Sequence, residues 1–324
     1  MNILLLHAAV SLHAQADDLD AAVQLAAVAD AVTDLGYSYS TAVLLDNEEN
    51  ICRICREGNI DAVFNLVEPE AGKGHSIAHA PRLLENLHVP FTGAGSTAMT
   101  LSSNKLFAKR VLHEAGIPTP DWIENTSSAC TTSFSSGCYI VKPVWEHASL
   151  GLDESALCHA TGYEEVQNRI ALRAGETGSE WFAERYIEGR EFSVSVIGAC
   201  DSPEVLSPAE MIFTGDWGSQ PKILDYAAKW NEDSFTFSHT RRTFEIADEL
   251  LPSKLSKMAL ACWNAFKLSG YARVDFRVDS SGLPFVIDVN ANPCLSPDAG
   301  LAAAAQYYGI VYSDLVSRII DAAA

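Results

Sequence analysis

The chain has 324 residues, 48% of them hydrophobic, which is enough for about two or three domains with buried cores. Its formal net charge is −20, and this argues against nucleic-acid backbones and anionic membrane surfaces as partners. No apolar run approaches the length of a membrane span, so a globular protein without a membrane anchor is expected.

The first hundred residues are predicted to alternate strands and helices. The predicted strands cover residues 2–7, 38–45, 62–67 and 89–92, and the predicted helices cover residues 17–35 and 76–87. This order predicts a parallel sheet with helices on both faces. Ligands of such sheets bind beyond the carboxyl ends of the strands, here the loops 7–16 and 68–75. Glu68 and His75 bound the second loop, which is either a surface loop or a substrate contact.

Two features of this region have alternative interpretations. The apolar run at residues 3–6 imitates a signal peptide, but no positive charge precedes it and His7 interrupts it, so a buried strand is favoured. Cys52 and Cys55 form a single CxxC in a predicted helix, which is weak evidence for a metal site. Free thiols in a reducing compartment are expected instead, and the protein is predicted to be cytoplasmic.

A lysine at a strand end marks the middle of the chain. A helix is predicted over residues 104–114, and the next clear strand, residues 139–142, ends in Lys142. The loop after it, residues 145–151, contains small residues including Ser149. An ammonium group beside loop N–H groups is suited to phosphate oxygens. The segment therefore suits the binding of a phosphate group.

Residues 273–293 predict a β-hairpin with polar residues on one face. Strand side chains alternate, so Arg273 and Asp275 share a face, as do Asp288 and Asn290 on the return strand. If the two polar faces coincide, two carboxylates, an amide oxygen and a guanidinium converge. Such oxygens suit magnesium, and the arginine could stabilise a phosphoryl group or an oxyanion. The alternative is a half-exposed hairpin with ordinary surface charges.

The remaining C-terminal residues are predicted to be helical. A long amphipathic helix is expected over residues 252–268 and a terminal helix over residues 312–323. Ser296-Pro297-Asp298 is predicted to begin another helix, with Ser296 as its cap. Asp298 either favours the helix dipole or lies in a substrate pocket.

Three phrases in these segments resemble the ATP-grasp ligases, and most of all the D-alanine–D-alanine ligases. The hairpin carries Arg-x-Asp-Phe and then Asp-Val-Asn-Ala-Asn-Pro, where the family has Glu-Val-Asn-Thr-x-Pro-Gly. Residues 184–194 match Glu-x-x-Ile-x-Gly-x-Glu-Phe-Ser-Val, and residues 116–120 read Gly-Ile-Pro-Thr-Pro as in the family. The matched phrases occur in the order expected of the family.

The resemblance implies four groups of site residues. The group expected to bind ATP consists of Lys105, Lys142, Glu184, Ile187, Glu191 and Lys229. In this group Glu184 is expected at the adenine amino group, the Ile187 backbone at the adenine edge and Glu191 at the ribose hydroxyls. The group expected to hold Mg²⁺, or Mn²⁺ in its place, consists of Asp275, Asp288 and Asn290. The catalytic group consists of Arg273, Ser149 and Lys229, and the substrate group of Glu68, His75 and Asp298.

The resemblance also implies the architecture. The fold class is α/β with an α+β C-terminal part, in an ATP-grasp fold. The expected domains are an N-terminal parallel α/β domain (1–100), a small central α+β domain with a flap (101–182) and a C-terminal antiparallel sheet domain with the metal site (183–324). A homodimer through the N-terminal domain is compatible with the resemblance.

The implied activity is ATP-dependent joining of a small-molecule carboxylate to an amine, through an acyl phosphate, with release of ADP and phosphate. Four family polar groups that hold the first substrate's amine are replaced, by Ala8, Ala148, Trp230 and Ala299. A pocket built to hydrogen-bond a group rejects analogues that lack it, so these changes suggest another acid than D-alanine. Two alternatives stay open: a nucleotide-binding homologue without ligase turnover, and a ligase for a different carboxylic acid.

Overall fold

The computed structural model describes residues 1–8, 16–44, 48–69, 74–125, 134–145, 156–217, 222–223 and 233–323. The strands are β1 Asn2–His7, β2 Ser38–Val43, β3 Ala62–Leu66, β4 Trp122–Glu124, β5 Gly137–Pro143, β6 Leu157–Ala160, β7 Trp181–Arg185, β8 Arg190–Ala199, β9 Ser202–Val205, β10 Ala209–Phe213, β11 Thr240–Thr243, β12 Gly270–Val278 and β13 Pro284–Asn290. The α-helices are α1 Ala16–Asp34, α2 Glu48–Glu57, α3 His79–Leu87, α4 Ser96–Ser103, α5 Lys105–Glu114, α6 Tyr163–Thr177, α7 Phe235–Ser238, α8 Leu251–Phe266, α9 Gly300–Tyr308 and α10 Tyr312–Asp321.

The N-terminal sheet is parallel, with strand order β2-β1-β3, which confirms the prediction for this region. Residues 3–6 of β1 are fully buried, because each face of the sheet is covered by helices. Ile3 and Leu5 pack with α1 and α10 on one face. Leu4 and Leu6 pack with α2 and α3 on the other. Among the described residues no helix is long and apolar enough to cross a membrane.

Two element predictions in this region are wrong in detail. The helix predicted over residues 76–87 is a 3-10 turn, Gly74–Ala78, followed by α3. Pro81 is tolerated only in the first turn of an α-helix, and α3 begins two residues before it. The strand predicted over residues 89–92 is reduced to one isolated bridge, between Phe91 and Val63. Pro90 has no N–H to continue a ladder and offers only its carbonyl, which accepts from the Val63 N–H at 2.8 Å.

The central sheet is antiparallel, with strand order β4-β7-β5-β6. Helix α6 covers one of its faces, where Ile123, Val141 and Ala183 join Val166 and Ile170 in a buried cluster. Strands β5 and β7 pair so that Ile140 lies opposite Glu184 and Lys142 lies opposite Phe182. The sheet therefore places β5, which carries Lys142, beside β7, in which the matched phrase of residues 184–194 begins.

The C-terminal sheet is antiparallel, with strand order β11-β10-β8-β12-β13 and β9 paired to β8. Helix α8 packs on it through the predicted apolar stripe, in which Leu255, Cys262 and Phe266 are buried. Strand β12 runs between β8 and β13, and its register with β8 is uninterrupted from Gly270 to Val278. This central position fixes the direction of every side chain on β12.

The helix predicted to begin at Ser296 begins later. Helix α9 starts at Gly300, with Ala299 as an N-cap that makes no side-chain hydrogen bond. The Ser296 hydroxyl instead donates to Asp20 Oδ1 at 2.6 Å, and Ser296 is buried. The serine is used in a tertiary contact, so it is not available as a cap.

Candidate active site

The β12–β13 hairpin brings its two polar faces together, as predicted. Asp275 lies opposite Asp288, and Arg273 lies opposite Asn290. Side chains directly opposite each other on antiparallel strands share a face of the sheet and lie about 5 Å apart at Cβ. A register shift between Asp275 and Phe276 follows immediately, so the polar group ends at a bulge.

Arg273 and Asp275 form a bidentate pair within this group. Arg273 Nε donates to Asp275 Oδ1 and Nη2 donates to Oδ2, both at 2.8 Å. The two side chains are 25% and 19% exposed. Asp275 holds the pKa of Arg273 above its usual value despite burial, and Asp288 acts in the same direction. The carboxylate charge at this end is thus partly balanced by one guanidinium.

The donor set of the hairpin fits a magnesium ion. Asp275, Asp288 and Asn290 supply two carboxylates and an amide oxygen, which are hard ligands of the kind Mg²⁺ takes while it keeps several waters. The Asn290 amide oxygen is oriented by the Asn292 backbone N–H, which donates to it at 2.9 Å. In the part of the chain that the structure describes, no cluster of three or more His, Cys, Asp or Glu side chains could hold a metal. The candidate metal site therefore depends on these two carboxylates and the amide.

A buried carboxylate of the central sheet, Glu184, lies between two lysines. Glu184 is 2% exposed, and its Oε1 accepts from Lys142 Nζ at 2.5 Å while its Oε2 pairs with Lys109. Burial raises the pKa of Glu184, but the two ammonium groups outweigh it and hold the pKa below its usual value. Burial lowers the pKa of Lys109, against the attraction of Glu184 and with the repulsion of Lys142. Two cations share one anion here, so the cluster has an excess of positive charge.

Lys109 connects the lysine cluster to the β12–β13 hairpin. Its ammonium group donates to Thr119 Oγ1 at 2.7 Å, and Thr119 donates in turn to the Val286 carbonyl of β13 at 2.7 Å. Asp288 acts on Lys109 electrostatically. The lysine cluster therefore lies near the carboxylates of the hairpin, and the region between these two groups is called the cleft. Lys105, one helical turn before Lys109, is half-buried, and its backbone N–H donates to the Val144 carbonyl at 3.0 Å.

A second arginine joins the residues expected at the nucleoside. Arg277 Nη1 donates to Glu191 Oε2 at 2.9 Å and Nε donates to the Ile187 carbonyl at 3.0 Å. Nη1 also donates to the Lys222 carbonyl at 2.8 Å, and Nη2 donates to the Tyr186 hydroxyl at 2.9 Å. The structure thus places Glu191 and Ile187 together, with a guanidinium between them.

The predicted substrate residues do not form a single cluster. Glu68 accepts from Gln24 Nε2 at 3.4 Å, and burial together with Glu68 raises the pKa of Tyr271, at the start of β12. His75 is exposed and makes an edge contact with the Trp145 ring. Asp298 is exposed at the entry to α9. Glu68, at the carboxyl end of β3, and Asp298, whose carbonyl accepts from Arg242 of β11 at 3.4 Å, therefore contact the C-terminal sheet at different places.

Two of the predicted catalytic residues, Ser149 and Lys229, lie outside the described residues, as do Ala148 and Trp230. Two residues of the cleft were missed by the sequence analysis: Lys109 and Arg277. A signal existed for each, because Lys109 is one helical turn from Lys105 and Arg277 continues the Arg273–Asp275 alternation.

Comparisons with known proteins identify the relatives of this chain. The sequence model of the family described as "D-ala D-ala ligase C-terminus" matches residues 111–321. The chain is 29% identical over 262 residues to the uncharacterized protein y4sG of Sinorhizobium fredii, covering 81% of this chain and 74% of that protein. It is 29% identical over 298 residues to a D-alanine–D-alanine ligase of Aquifex aeolicus, covering 91% of this chain and 92% of the ligase.

A solved structure shares the fold. The D-alanine–D-alanine ligase from Bacillus anthracis, crystallised in complex with ATP, matches with a TM-score of 0.74 at 23% identity, covering 99% of this chain and 97% of that one. The match extends over all three sheets, and it confirms the ATP-grasp architecture expected from the matched phrases.

Proposed function

The chain belongs to the D-alanine–D-alanine ligase family, whose C-terminal model spans residues 111–321, and on that premise we propose that it is an ATP-dependent ligase that joins a carboxylate to an amine. The ATP-bound Bacillus anthracis ligase, which has the same fold, supports ATP as the nucleotide. The observation that carries the proposal is that Asp275, Asp288 and Asn290 share one face of the hairpin, near the buried Lys109 on which Asp288 acts electrostatically. Anionic oxygens with ammonium groups nearby suit a metal–triphosphate complex.

The first step would activate the acid. A substrate carboxylate oxygen attacks the γ-phosphorus of ATP, the bond to the bridging oxygen breaks, and ADP leaves behind an acyl phosphate. Magnesium held by Asp275, Asp288 and Asn290 would neutralise phosphate charge. Lys142 would draw off further charge from its position beside Glu184. Lys105 and Lys229 are proposed to act on the same phosphates.

The second step would form the C–N bond. An amine nitrogen attacks the acyl carbon and loses a proton, and the bond to phosphate breaks as inorganic phosphate leaves. Arg273 is proposed to stabilise the oxyanion that forms between these events. Two of its nitrogens are bonded to Asp275, and its third, Nη1, lies beside Gly300 at the start of α9. The amine substrate would therefore approach from the side of α9.

A second candidate is a ligase of the same type for an acid other than D-alanine. The observation that favours it is the N-cap of α9, where Ala299 makes no side-chain hydrogen bond at the position of a family serine. Ala8, at the end of β1, likewise offers no polar side chain at the position of a family glutamate. A pocket without these groups has lost partners for a substrate ammonium.

The test is ADP release by the purified protein with magnesium and ATP, over a panel of D-amino acids, L-amino acids and dipeptides. We expect ADP release that depends on an added substrate, with an acid other than D-alanine preferred if the second candidate holds. A reaction without added acid is the control for background hydrolysis. Nucleotide binding without any substrate-dependent ADP release would contradict ligase activity and would favour a homologue without turnover.

A further inference from the structure

Arg277 lies near the C-terminal end of β12, two residues after Asp275. The residue is 4% exposed, and its three guanidinium nitrogens together donate to four different residues. Its partners come from β8, from the loop between β7 and β8, and from the short segment 222–223. The guanidinium also lies 5.1 Å from the centre of the Tyr186 ring. Acceptors within 3.0 Å on several sides leave no space for another group between them.

The register of the sheet places Arg277 next to the phosphate end of the cleft. In the uninterrupted pairing of β12 with β8, Asp275 lies opposite Ser193 and Arg277 lies opposite Glu191. Residues two apart on a strand share a face and lie about 7 Å apart. A nucleotide whose phosphates lie at Asp275 would therefore have its nucleoside near Arg277. This placement depends on the nucleotide binding proposed above.

We propose that Arg277 competes with the nucleoside of ATP for the Glu191 carboxylate and the Ile187 carbonyl, and so sets the affinity and selectivity of the nucleotide site. The Glu191 carboxylate, expected at the ribose, and the carbonyl of Ile187, whose backbone is expected at the adenine edge, each accept a hydrogen bond from Arg277. A nucleoside that enters must displace a charged donor from a buried carboxylate, which offsets much of the free energy that its own contacts provide.

The consequence is a nucleotide site in which the phosphates dominate recognition. In wild-type protein, ATP is expected to bind only modestly more tightly than inorganic tripolyphosphate, because the nucleoside adds little net free energy. Discrimination among nucleobases is expected to be weak for the same reason. Removing the Arg277 guanidinium should restore the contribution of the nucleoside.

The experiment is calorimetric titration with ATP and with inorganic tripolyphosphate, both with magnesium, of wild-type protein and of Arg277→Met. Methionine keeps an unbranched side chain of similar length without hydrogen-bond donors. We expect the ratio of ATP affinity to tripolyphosphate affinity to rise about tenfold or more in Arg277→Met. A general weakening of the fold would change both affinities together and leave the ratio unchanged.

Two further variants complete the test. Arg318→Met removes another guanidinium–carboxylate pair, with Glu204, outside the cleft, and its ratio should equal that of wild type. If Arg277→Met does not fold, Arg277→Lys decides, because an ammonium cannot reach all the partners of the guanidinium and should raise the ratio in the same direction. An unchanged or lower ratio in the folded Arg277 variant would overturn the proposal. Absence of binding of both ligands to wild-type protein would instead contradict the nucleotide function itself.

Discussion

Strand β12 carries two arginine–carboxylate pairs that differ in their exposure to solvent. In the first pair, Arg273 bonds to Asp275 on its own strand, and the side chains are 25% and 19% exposed. In the second pair, Arg277 bonds to Glu191 on β8, and the side chains are 5% and 10% exposed. The first pair borders the open part of the cleft, whereas the second connects parts of the chain 55 to 91 residues apart. An arginine–carboxylate pair at this cleft can therefore bind a ligand or maintain the fold, and burial decides which role dominates.

The comparison predicts unequal losses of stability when each arginine is removed. Arg277→Met leaves a buried carboxylate without its cation, and it is expected to lower the free energy of unfolding by about 3–5 kcal/mol. Arg273→Met removes a partly exposed pair, and a loss of about 1–2 kcal/mol is expected. Urea unfolding of both variants measures the difference. The exposed pair of Arg318→Met provides the reference, at about 0–1 kcal/mol.

Equal losses at Arg273 and Arg277 would show that the two pairs do not differ in role. A loss at Arg277 no larger than that at Arg318 would contradict the account of Arg277 as a connection between distant segments.

A third ion pair, that of the buried Glu184 with its two lysines, is expected to make the free energy of unfolding depend on pH. The pKa of Glu184 is lowered from 4.5 in the folded protein, so its carboxylate stabilises the fold above the unfolded pKa. That contribution is lost as the pH falls below about 4.5 and through the folded pKa. Glu184→Gln cannot titrate, so its unfolding free energy should fall less than that of wild type between about pH 6 and pH 3.

Urea unfolding at the two pH values checks this expectation. Glu164→Gln, which changes an exposed carboxylate on α6, should follow wild type. If Glu184→Gln loses as much stability in acid as wild type does, the carboxylate is not held between two charged lysines.

Local patterns were sufficient to predict the hairpin and the cluster on its polar face. Alternation assigns Arg273 and Asp275 to one face of their strand and Asp288 and Asn290 to one face of theirs, because a strand has a period of two, and the strand register then brings the two faces together. The same alternation includes Arg277, but its role depends on Glu191 and Ile187, which are 86 and 90 residues away. No local pattern carries that information. The resemblance indicated Glu191 and Ile187 as ligand contacts but did not indicate the arginine that engages them.

A tertiary contact also explains why the start of α9 was predicted wrongly. Ser296 has the sequence of a helix cap, yet its hydroxyl bonds to Asp20, 276 residues away. Lys109 was missed because a lysine on a short helix is usually a solvated charge. Its partner Glu184 lies on β7, far from Lys109 in the sequence, and only the fold brings the two side chains together. The domain boundaries at residues 100/101 and 182/183 stay a prediction, as does a homodimer.

The measurement that tests the central claim most directly is magnesium-dependent ATP binding by Asp288→Ala, compared with wild type and with Asp314→Ala on the exposed side of α10. If the two carboxylates of the hairpin hold the metal–triphosphate complex, Asp288→Ala should lose about tenfold or more in ATP affinity with magnesium and change little without it. Asp314→Ala should bind as wild type does. Equal affinity of Asp288→Ala and wild type with magnesium would contradict the assignment of the metal site.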